Sequence, residues 1–525
     1  MLKSQLPEDF MSAIAVPGRS LATSSRSASA LNLIGGTWVE GRGNMTRDIY
    51  NPADTAEMLA PVREAAPEQV DEACAAAARA FPGWRATPAP ERAHILFKFR
   101  DLLEKHSSEV AHSIVRENGK RLSEAGGGAG ASLRRGLDVV EFACGIPSQL
   151  MGQTLTDISR DVDCHAIRVP LGVVVGITPF NFPALIPLWM MSVAVACGNT
   201  FILKPAEKAP LTGTRLVELF AEAGLPPGVV GVVQGSKEVS ERLIGNPHVQ
   251  AVSFVGTSAV AESVYRLAAA HGKRVQAHGG AKNHLIVLPD ADLERTLPAL
   301  IGSCFGSAGQ RCLAGSVLVL VGDRGRQDAV ADAFIRSASE LKLGDGLDDT
   351  ATLGPVVNPK EEKRIRAAIE RGVTEGARLR LDGRSQTVPH RPRGCFLGAT
   401  VFDDVTPEMF IGREEIFGPV VSVMRAPDLD AAITLTNRSR YGNTACLFTH
   451  SGAAARTFRE RIQAGMLGIN VGVPAPMAFF PFGGWKSSLN GDLNAQSADA
   501  VAFYTRKKVI TERWFGAEAP KDGWV

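Results

Sequence analysis

The sequence contains no Cys-x-x-Cys pair, although it has eight cysteines: Cys74, Cys144, Cys164, Cys197, Cys304, Cys312, Cys395 and Cys446. Neither a zinc site nor a disulfide framework is indicated, and no metal is expected. Lone thiols suit a reducing compartment, where one of them can remain a nucleophile. Blocks of like charge are missing too: 57 basic residues stand against 55 acidic ones, a formal net charge of +2. Phosphate backbones are bound by clustered Lys and Arg, so nucleic acid is not an expected partner. No repeat of fixed short period is visible.

A long charge-free run is present, yet it lacks what a membrane requires. From Leu171 to Leu203 no residue is charged, but Pro179, Pro183 and Pro187 interrupt the run, and Asn181 and Asn199 lie inside it. A span needs about 20 consecutive apolar residues. A buried strand, a turn and a buried helix are predicted instead, with no membrane partner. At the N-terminus no acidic residue occurs between Met11 and Trp38, and residues 1–33 are rich in Ser, Ala and Arg. The segment reads either as a flexible tail or as a short transit peptide, without the long apolar core of a secretory signal. A cytoplasmic location is expected, with the mitochondrial matrix as the alternative.

The length, 525 residues, allows roughly three or four lobes. Short strands are predicted at Ile34–Glu40 and Arg47–Tyr50, then three or four amphipathic helices between Pro67 and Cys144. Residues 152–168 are polar and strand-like. Apolar, β-rich runs follow at Leu171–Ile177, Thr200–Leu203, Val229–Val233, Ala251–Val255, Leu285–Leu288 and Val317–Val321, separated by helical patterns such as Ala209–Ala223 and Ser258–Ala270. Continuous apolar strands alternating with helices imply an α/β protein whose parallel sheet is covered on both faces. A second alternating set spans 324–470, and Val501–Trp514 reads as one more strand and a tail.

Several positions carry chemistry. In the helical pattern 131–144, Arg135 lies on neither the apolar face of Leu133, Leu137 and Val140 nor the polar face of Arg134, Asp138 and Glu141. A charge among apolar neighbours needs an anionic partner, unless its long stem carries it to solvent. Three strand ends suit a ligand, because open α/β sheets bind at the carboxyl ends of their strands. They are Thr178-Pro179-Phe180-Asn181, Lys204-Pro205-Ala206-Glu207-Lys208 and Gly256-Thr257-Ser258. A carboxylate there can accept from ribose hydroxyls, and a helix N-terminus can seat a phosphate. No G-x-G-x-x-G fingerprint accompanies them, so ordinary turn and cap chemistry is the alternative. Cys312, in Gly309-Gln310-Arg311-Cys312, is either a packing residue or a nucleophile.

The ordered motifs Phe180-Asn181-Phe182-Pro183, Lys204-Pro205-Ala206-Glu207, Phe254-Val255-Gly256-Thr257, Gly279-Gly280, Gly309-Gln310-Arg311-Cys312, Glu415-Ile416-Phe417-Gly418-Pro419 and Pro481-Phe482-Gly483-Gly484 resemble the aldehyde dehydrogenase superfamily from about residue 31 to 515. Gly309-Gln310-Arg311-Cys312, Arg135-Gly136-Leu137-Asp138-Val139-Val140-Glu141 and Gly280-Ala281-Lys282-Asn283-His284 look like its CoA-acylating methylmalonate-semialdehyde dehydrogenases. The resemblance implies two Rossmann-like parallel-sheet domains plus a small β-hairpin oligomerisation arm. An NAD-binding domain would comprise 34–151 and 171–283, a catalytic domain 284–484, and the arm 152–170 with 485–525, its last strand near 499–512. A homodimer or homotetramer is implied.

It further implies that Cys312 attacks an aldehyde, with the Asn181 amide and the Cys312 N–H as oxyanion donors, each worth roughly 3–4 kcal/mol in comparable sites. NAD is the implied cofactor. Glu415 and Phe417 would hold the nicotinamide ribose, and Lys204, Glu207, Lys208 and Thr257 the adenosine half and phosphates. Thr178, Phe180, Gly256 and Gly279 would complete the site. Arg135 and Arg311 would grip the carboxylate of malonate or methylmalonate semialdehyde. Hydrolytic relatives carry a water-activating glutamate where this chain has His278, and CoA-acylating ones carry asparagine. His278 is therefore either a base or a neutral, hydrogen-bonded histidine. CoA is the expected acyl acceptor, with release of CO2 and formation of propionyl- or acetyl-CoA; hydrolysis to a free acid is the alternative, and a non-catalytic member of the fold is a second.

Overall fold

The computed structural model describes residues 30–126 and 130–515. Most of the N-terminal segment read as a tail or transit peptide, and 516–525 of the expected arm, lie outside them.

An eight-stranded sheet organises the first half of the chain. Its order is Thr37–Val39, Asn32–Ile34, Val230–Val232, Thr200–Lys204, Val173–Ile177, Val249–Val255, Arg274–His278 and Leu489–Asn490. The five central strands are parallel, and only the edges run antiparallel. Alternation along each strand fills both faces. Val173, Val175 and Ile177 join a core with helices Pro67–Ala86 and Ser258–Ala270, while Val174 and Phe201 face helices Ala89–Lys105, Ser132–Cys144 and Leu185–Ala196.

The charge-free stretch resolves into strand Val173–Ile177, a turn, the wholly buried helix Leu185–Ala196 and strand Thr200–Lys204. Among the described residues no helix is long and apolar enough to cross a membrane. Asn199 is at home in that core. Its side-chain oxygen accepts from the N–H groups of Leu171 and Gly172, and its amide donates to the carbonyls of Ala194 and Tyr504.

A second sheet has seven strands, ordered Arg378–Leu381, Thr400–Asp403, Val420–Ala426, Gly315–Val321, Asn283–Val287, Thr444–Phe448 and Met466–Ile469. All its pairings are parallel except the one at the Arg378–Leu381 edge. A three-stranded antiparallel sheet of Gln153–Ser159, Val162–Pro170 and Thr505–Arg513 stands apart, with its outer strand Gln153–Ser159 exposed throughout.

Several sequence-based boundaries move. The expected tail reaches 33, but Asn32–Ile34 is already a strand, tied by the Asn32 side chain to the Gln234 N–H. Asp54–Arg63 and Arg274–His278 are strands the sequence pattern did not reveal. The segment 485–503 does not join the three-stranded sheet. Trp485–Lys486 pair with Tyr441–Gly442, Leu489–Asn490 close the first sheet, and Ser497–Phe503 form a helix. The last strand begins at Thr505 rather than 499, because Ala500, Val501, Phe503 and Tyr504 bury helix-spaced side chains in the core around Leu185–Ala196.

Candidate active site

Helix Leu293–Phe305 and the central strand Gly315–Val321 are joined by a tight segment that presents Cys312 to a cavity. Gly309 is obligatory there: its φ is 69°, and a Cβ would lie 2.2 Å from the Gly418 carbonyl. The Glu415–Pro419 stretch is thereby packed against the Cys312 loop. Two side-chain amides, Asn283 and Asn443, each donate to the Cys312 carbonyl at 2.8 Å. Asn443 was not singled out in the sequence, since nothing local to it signals a contact with Cys312. The Cys312 thiol reaches the cavity, but packing on its other sides, then the Glu415 charge, push its pKa up to about 11; Arg311 works the other way. At rest the thiol is protonated at neutral pH, and it must lose that proton to react.

Asn181 is buried, and its amide donates to the Gln310 carbonyl at 3.0 Å. The amide nitrogen has two hydrogens, so one donor remains for an oxyanion. Glu415 is also enclosed. Its carboxyl accepts from the Ala281 N–H at 2.9 Å, and a Cβ on Gly280 would lie 2.3 Å from it. Burial pushes Glu415 up to about 7 and Lys282 down to about 7, and the Lys282 ammonium has no hydrogen-bond partner among the described residues. His278 sits 3.4 Å from the Gln276 side-chain oxygen, and burial pushes it down to about 4. Of its two sequence readings, the neutral ring is the one this environment favours.

Thr178, Phe180, Lys204, Glu207, Lys208, Gly256, Thr257 and Gly279 follow the carboxyl ends of four neighbouring parallel strands, whereas Glu415 and Phe417 come from the loop before strand Val420–Ala426 of the second sheet. Thr178 donates its N–H to Lys204, whose own ammonium burial lowers to about 8. Glu207 is paired with Arg47 at 3.1 Å, and Lys208 with Glu361 at 2.6 Å. Lys208 also lies 5.0 Å from the centre of the Phe180 ring, which meets Phe417 edge-on at 5.8 Å. Thr257 opens helix Ser258–Ala270, and its hydroxyl does not cap that helix. Gly256 donates to the His278 carbonyl. Gly279 uses its N–H on the Ser488 carbonyl, and a Cβ there would lie 2.6 Å from the Ser258 hydroxyl. The cradle of glycines, a buried lysine and a helix N-terminus fits a dinucleotide.

On the other side of Cys312 lies a cavity of about 580 Å³, lined by Arg135, Arg311, Phe182, Trp189 and Phe482 among others. Arg134 and Arg135, neighbours on one helix, differ sharply. Arg134 binds Asp138 and Glu141 on the surface, whereas Arg135 is half-buried and contacts the Pro476 carbonyl. Arg311 donates to the carbonyls of Gly302 and Ser303, and its Nε has no hydrogen-bond partner among the described residues. Its guanidinium lies against Gly306, where a Cβ would come within 2.6 Å. Among the described residues neither Arg135 nor Arg311 has a carboxylate in contact, and burial depresses the pKa of both. Arg121 and Glu124, which the sequence reading passed over, line the same cavity. Among the described residues no group of three or more His, Cys, Asp or Glu could hold a metal ion.

Comparison with known proteins identifies the family. A model described as the aldehyde dehydrogenase family matches residues 38–510. Malonate-semialdehyde dehydrogenase 2 of Geobacillus kaustophilus is 50% identical over 92% of this chain and 98% of its own length. Malonate-semialdehyde dehydrogenase of Halalkalibacterium halodurans shows the same identity and coverage. Among solved structures, a methylmalonate-semialdehyde dehydrogenase described as putative, from Sinorhizobium meliloti and complexed with NAD, superposes with a TM-score of 0.90 at 43% identity, covering 94% of this chain and 99% of that one. The methylmalonate-semialdehyde dehydrogenase of Oceanimonas doudoroffii gives 0.89 at 44% identity, covering 93% and 98%.

Proposed function

Because the chain belongs to the aldehyde dehydrogenase family, we propose that it oxidises malonate semialdehyde or methylmalonate semialdehyde with NAD and transfers the acyl group to CoA. One observation carries this reading: two guanidiniums without carboxylate contacts among the described residues, Arg135 and Arg311, share a cavity with Cys312. Buried cations call for anions, and an aldehyde that also bears a carboxylate supplies one.

The Cys312 thiolate attacks the aldehyde carbon, and the Asn181 amide and the Cys312 N–H take the charge on the carbonyl oxygen. NAD, when bound, accepts the hydride. Thr178, Phe180, Lys204, Glu207, Lys208, Gly256, Thr257, Gly279, Glu415 and Phe417 hold it in this reading. The thioester left on Cys312 needs an acceptor. A neutral His278, pushed down to about 4, is a poor activator of water, which leaves the CoA thiol to take the acyl group. With the acyl carbon at thioester level, the substrate carboxylate lies β to a carbonyl, and loss of CO2 gives a stabilised enolate. Acetyl-CoA or propionyl-CoA results.

In this reading 34–151 and 171–283 form the NAD-binding domain and 284–484 the catalytic one. The three-stranded sheet contacts another subunit of a homodimer or homotetramer in the cytoplasm. Leu155, Ile158 and Val509, all exposed on that sheet, support the contact. The test follows NADH with each semialdehyde, with and without CoA, while trapping CO2. Equimolar NADH, CO2 and acyl-CoA are expected; free acid formed at the same rate without CoA would contradict the reading.

A further inference from the structure

The turn before Cys312 is unusual in its backbone. Ser307, Ala308 and Gly309 have consecutive φ values of 53°, 52° and 69°. Left-handed backbone is unfavourable for Ser and Ala, so such a turn persists only where its surroundings hold it. Two charged groups from the segment 120–124 do so. The Lys120 ammonium donates to the Ser307 hydroxyl at 2.9 Å, and the Ser307 N–H donates to the Glu124 carboxylate at 2.7 Å. Lys120 is only 2% exposed and lies 4.4 Å from the centre of the Phe182 ring, next to Asn181. Glu124 also accepts from the Arg121 N–H at 3.1 Å. Burial works against its charge, yet Lys120 and Arg121 hold its carboxyl below the usual range.

From Ser307 the bonds continue to the oxyanion donor. The Ser307 carbonyl accepts from the Gln310 N–H at 3.0 Å and from the Gln310 side-chain amide at 3.4 Å. The Gln310 side-chain oxygen in turn accepts from the Val357 N–H at 3.1 Å, and the Gln310 carbonyl accepts from Asn181 at 3.0 Å. One route thus connects two buried charges, the left-handed turn and the Asn181 amide. Lys120 does not line the cavity; its hydrogen bond toward the Cys312 loop runs through Ser307, and its charge also acts on Cys312 and Arg311.

We propose that Lys120 and Glu124 are positioning residues that grip Ser307 from both sides and thereby fix the Cys312 loop and the Asn181 amide. The inference rests on Cys312 as nucleophile and Asn181 as oxyanion donor. Their displacement by about 1 Å would cost on the order of 10²-fold in the acylation rate while leaving substrate binding alone.

The experiment compares Ser307→Ala, Lys120→Met and the double variant in the full chain, by rapid-mixing measurement of NADH release with malonate semialdehyde. Each single variant is expected to slow acylation about 10- to 100-fold with the semialdehyde KM within about threefold. The double variant should be less than about twofold slower than Ser307→Ala, because both changes cut the same link. Ser307→Ala removes a single oxygen and carries the test alone if Lys120→Met fails to fold. Wild-type acylation in Ser307→Ala, a loss confined to KM, or fully additive losses would each overturn the brace. Cys312→Ala separates the two layers: NADH release surviving in it defeats the nucleophile reading, whereas its loss beside a normal Ser307→Ala defeats the brace only.

Discussion

The cleft at the strand ends and the cavity behind Cys312 handle charge in opposite ways. In the cleft, Glu207 is matched by Arg47, Lys208 by Glu361, and the Glu415 carboxyl by the Ala281 N–H. In the cavity, the hydrogen bonds of Arg135 and Arg311 to described residues go to backbone carbonyls. Most of the cleft's charges are paired internally, so a ligand entering it meets a preformed surface of glycines, rings and held side chains, with the buried Lys282 ammonium, which has no hydrogen-bond partner among the described residues, beside Glu415. Guanidiniums without a carboxylate contact among the described residues leave part of their charge for a ligand to meet, with Glu124 offsetting some of it at Arg311, and in the proposed reading selectivity follows from it. In the proposed reading, pre-organisation serves a cofactor common to many reactions, and incompletely balanced charge serves the substrate that defines this one.

The largest expected effect lies between the two regions. Cys312→Ala should reduce NADH release by more than about 10⁴-fold, the scale on which loss of a catalytic nucleophile acts. Turnover near the wild-type rate would remove Cys312 from the reaction. The pH dependence of this thiol can be followed separately, by alkylation of the ligand-free protein with iodoacetamide and mass spectrometry of the Cys312 peptide. With the thiol pushed up to about 11, the thiolate fraction grows as pH rises, so the rate should climb about tenfold per pH unit between pH 7 and 10. A plateau below pH 8 would show that the resting site is far less desolvating than its packing suggests.

Next in size, Asn181→Ala should lower kcat about 10²- to 10³-fold with little change in KM, as loss of an oxyanion donor does. A change in KM alone would make Asn181 a binding residue. On the cleft side, Glu207→Ala should raise the KM for NAD roughly three- to tenfold, the loss of one charged hydrogen bond, and leave the semialdehyde KM unchanged. A change in both would mean that cleft and cavity are not independent. The smallest effect is expected at His278. His278→Asn should leave the acyl-CoA yield intact and the rate within about threefold, since a ring whose pKa is pushed down to about 4 is too weak a base to matter at pH 7. A fall in the ratio of hydrolysis to CoA transfer would make it a base after all.

Much of this arrangement is legible in the residue pattern alone. The apolar runs place the central strands because both faces of a parallel sheet are buried, and the candidates at 178–181, 204–208 and 256–258 follow from the ends of those strands, whereas Gly279, Glu415 and Phe417 rest on the motif resemblance. Arg135 announces itself by sitting off both helical faces. What escapes is long-range or compensated. Strand Arg274–His278 carries Arg, Gln and His and lacks an apolar run, although its last three residues are buried beside Val249–Val255. Ser497–Phe503 contains Val, Phe and Ala in an order that suits either period, and contact with the core around Leu185–Ala196 decides for a helix. The Lys120–Ser307 and Arg47–Glu207 partnerships join residues far apart in the chain, and no local pattern encodes them.

The demand for an anion in the cavity is tested most directly by one ratio, kcat/KM for malonate semialdehyde over kcat/KM for propanal, measured in the wild-type protein and in Arg135→Ala. The ratio should fall roughly 10- to 100-fold in the variant, the loss of charged hydrogen bonds to a carboxylate, with propanal turnover little changed. An equal decline for both aldehydes would contradict it, because Arg135 would then support the fold of the cavity rather than recognise the carboxylate.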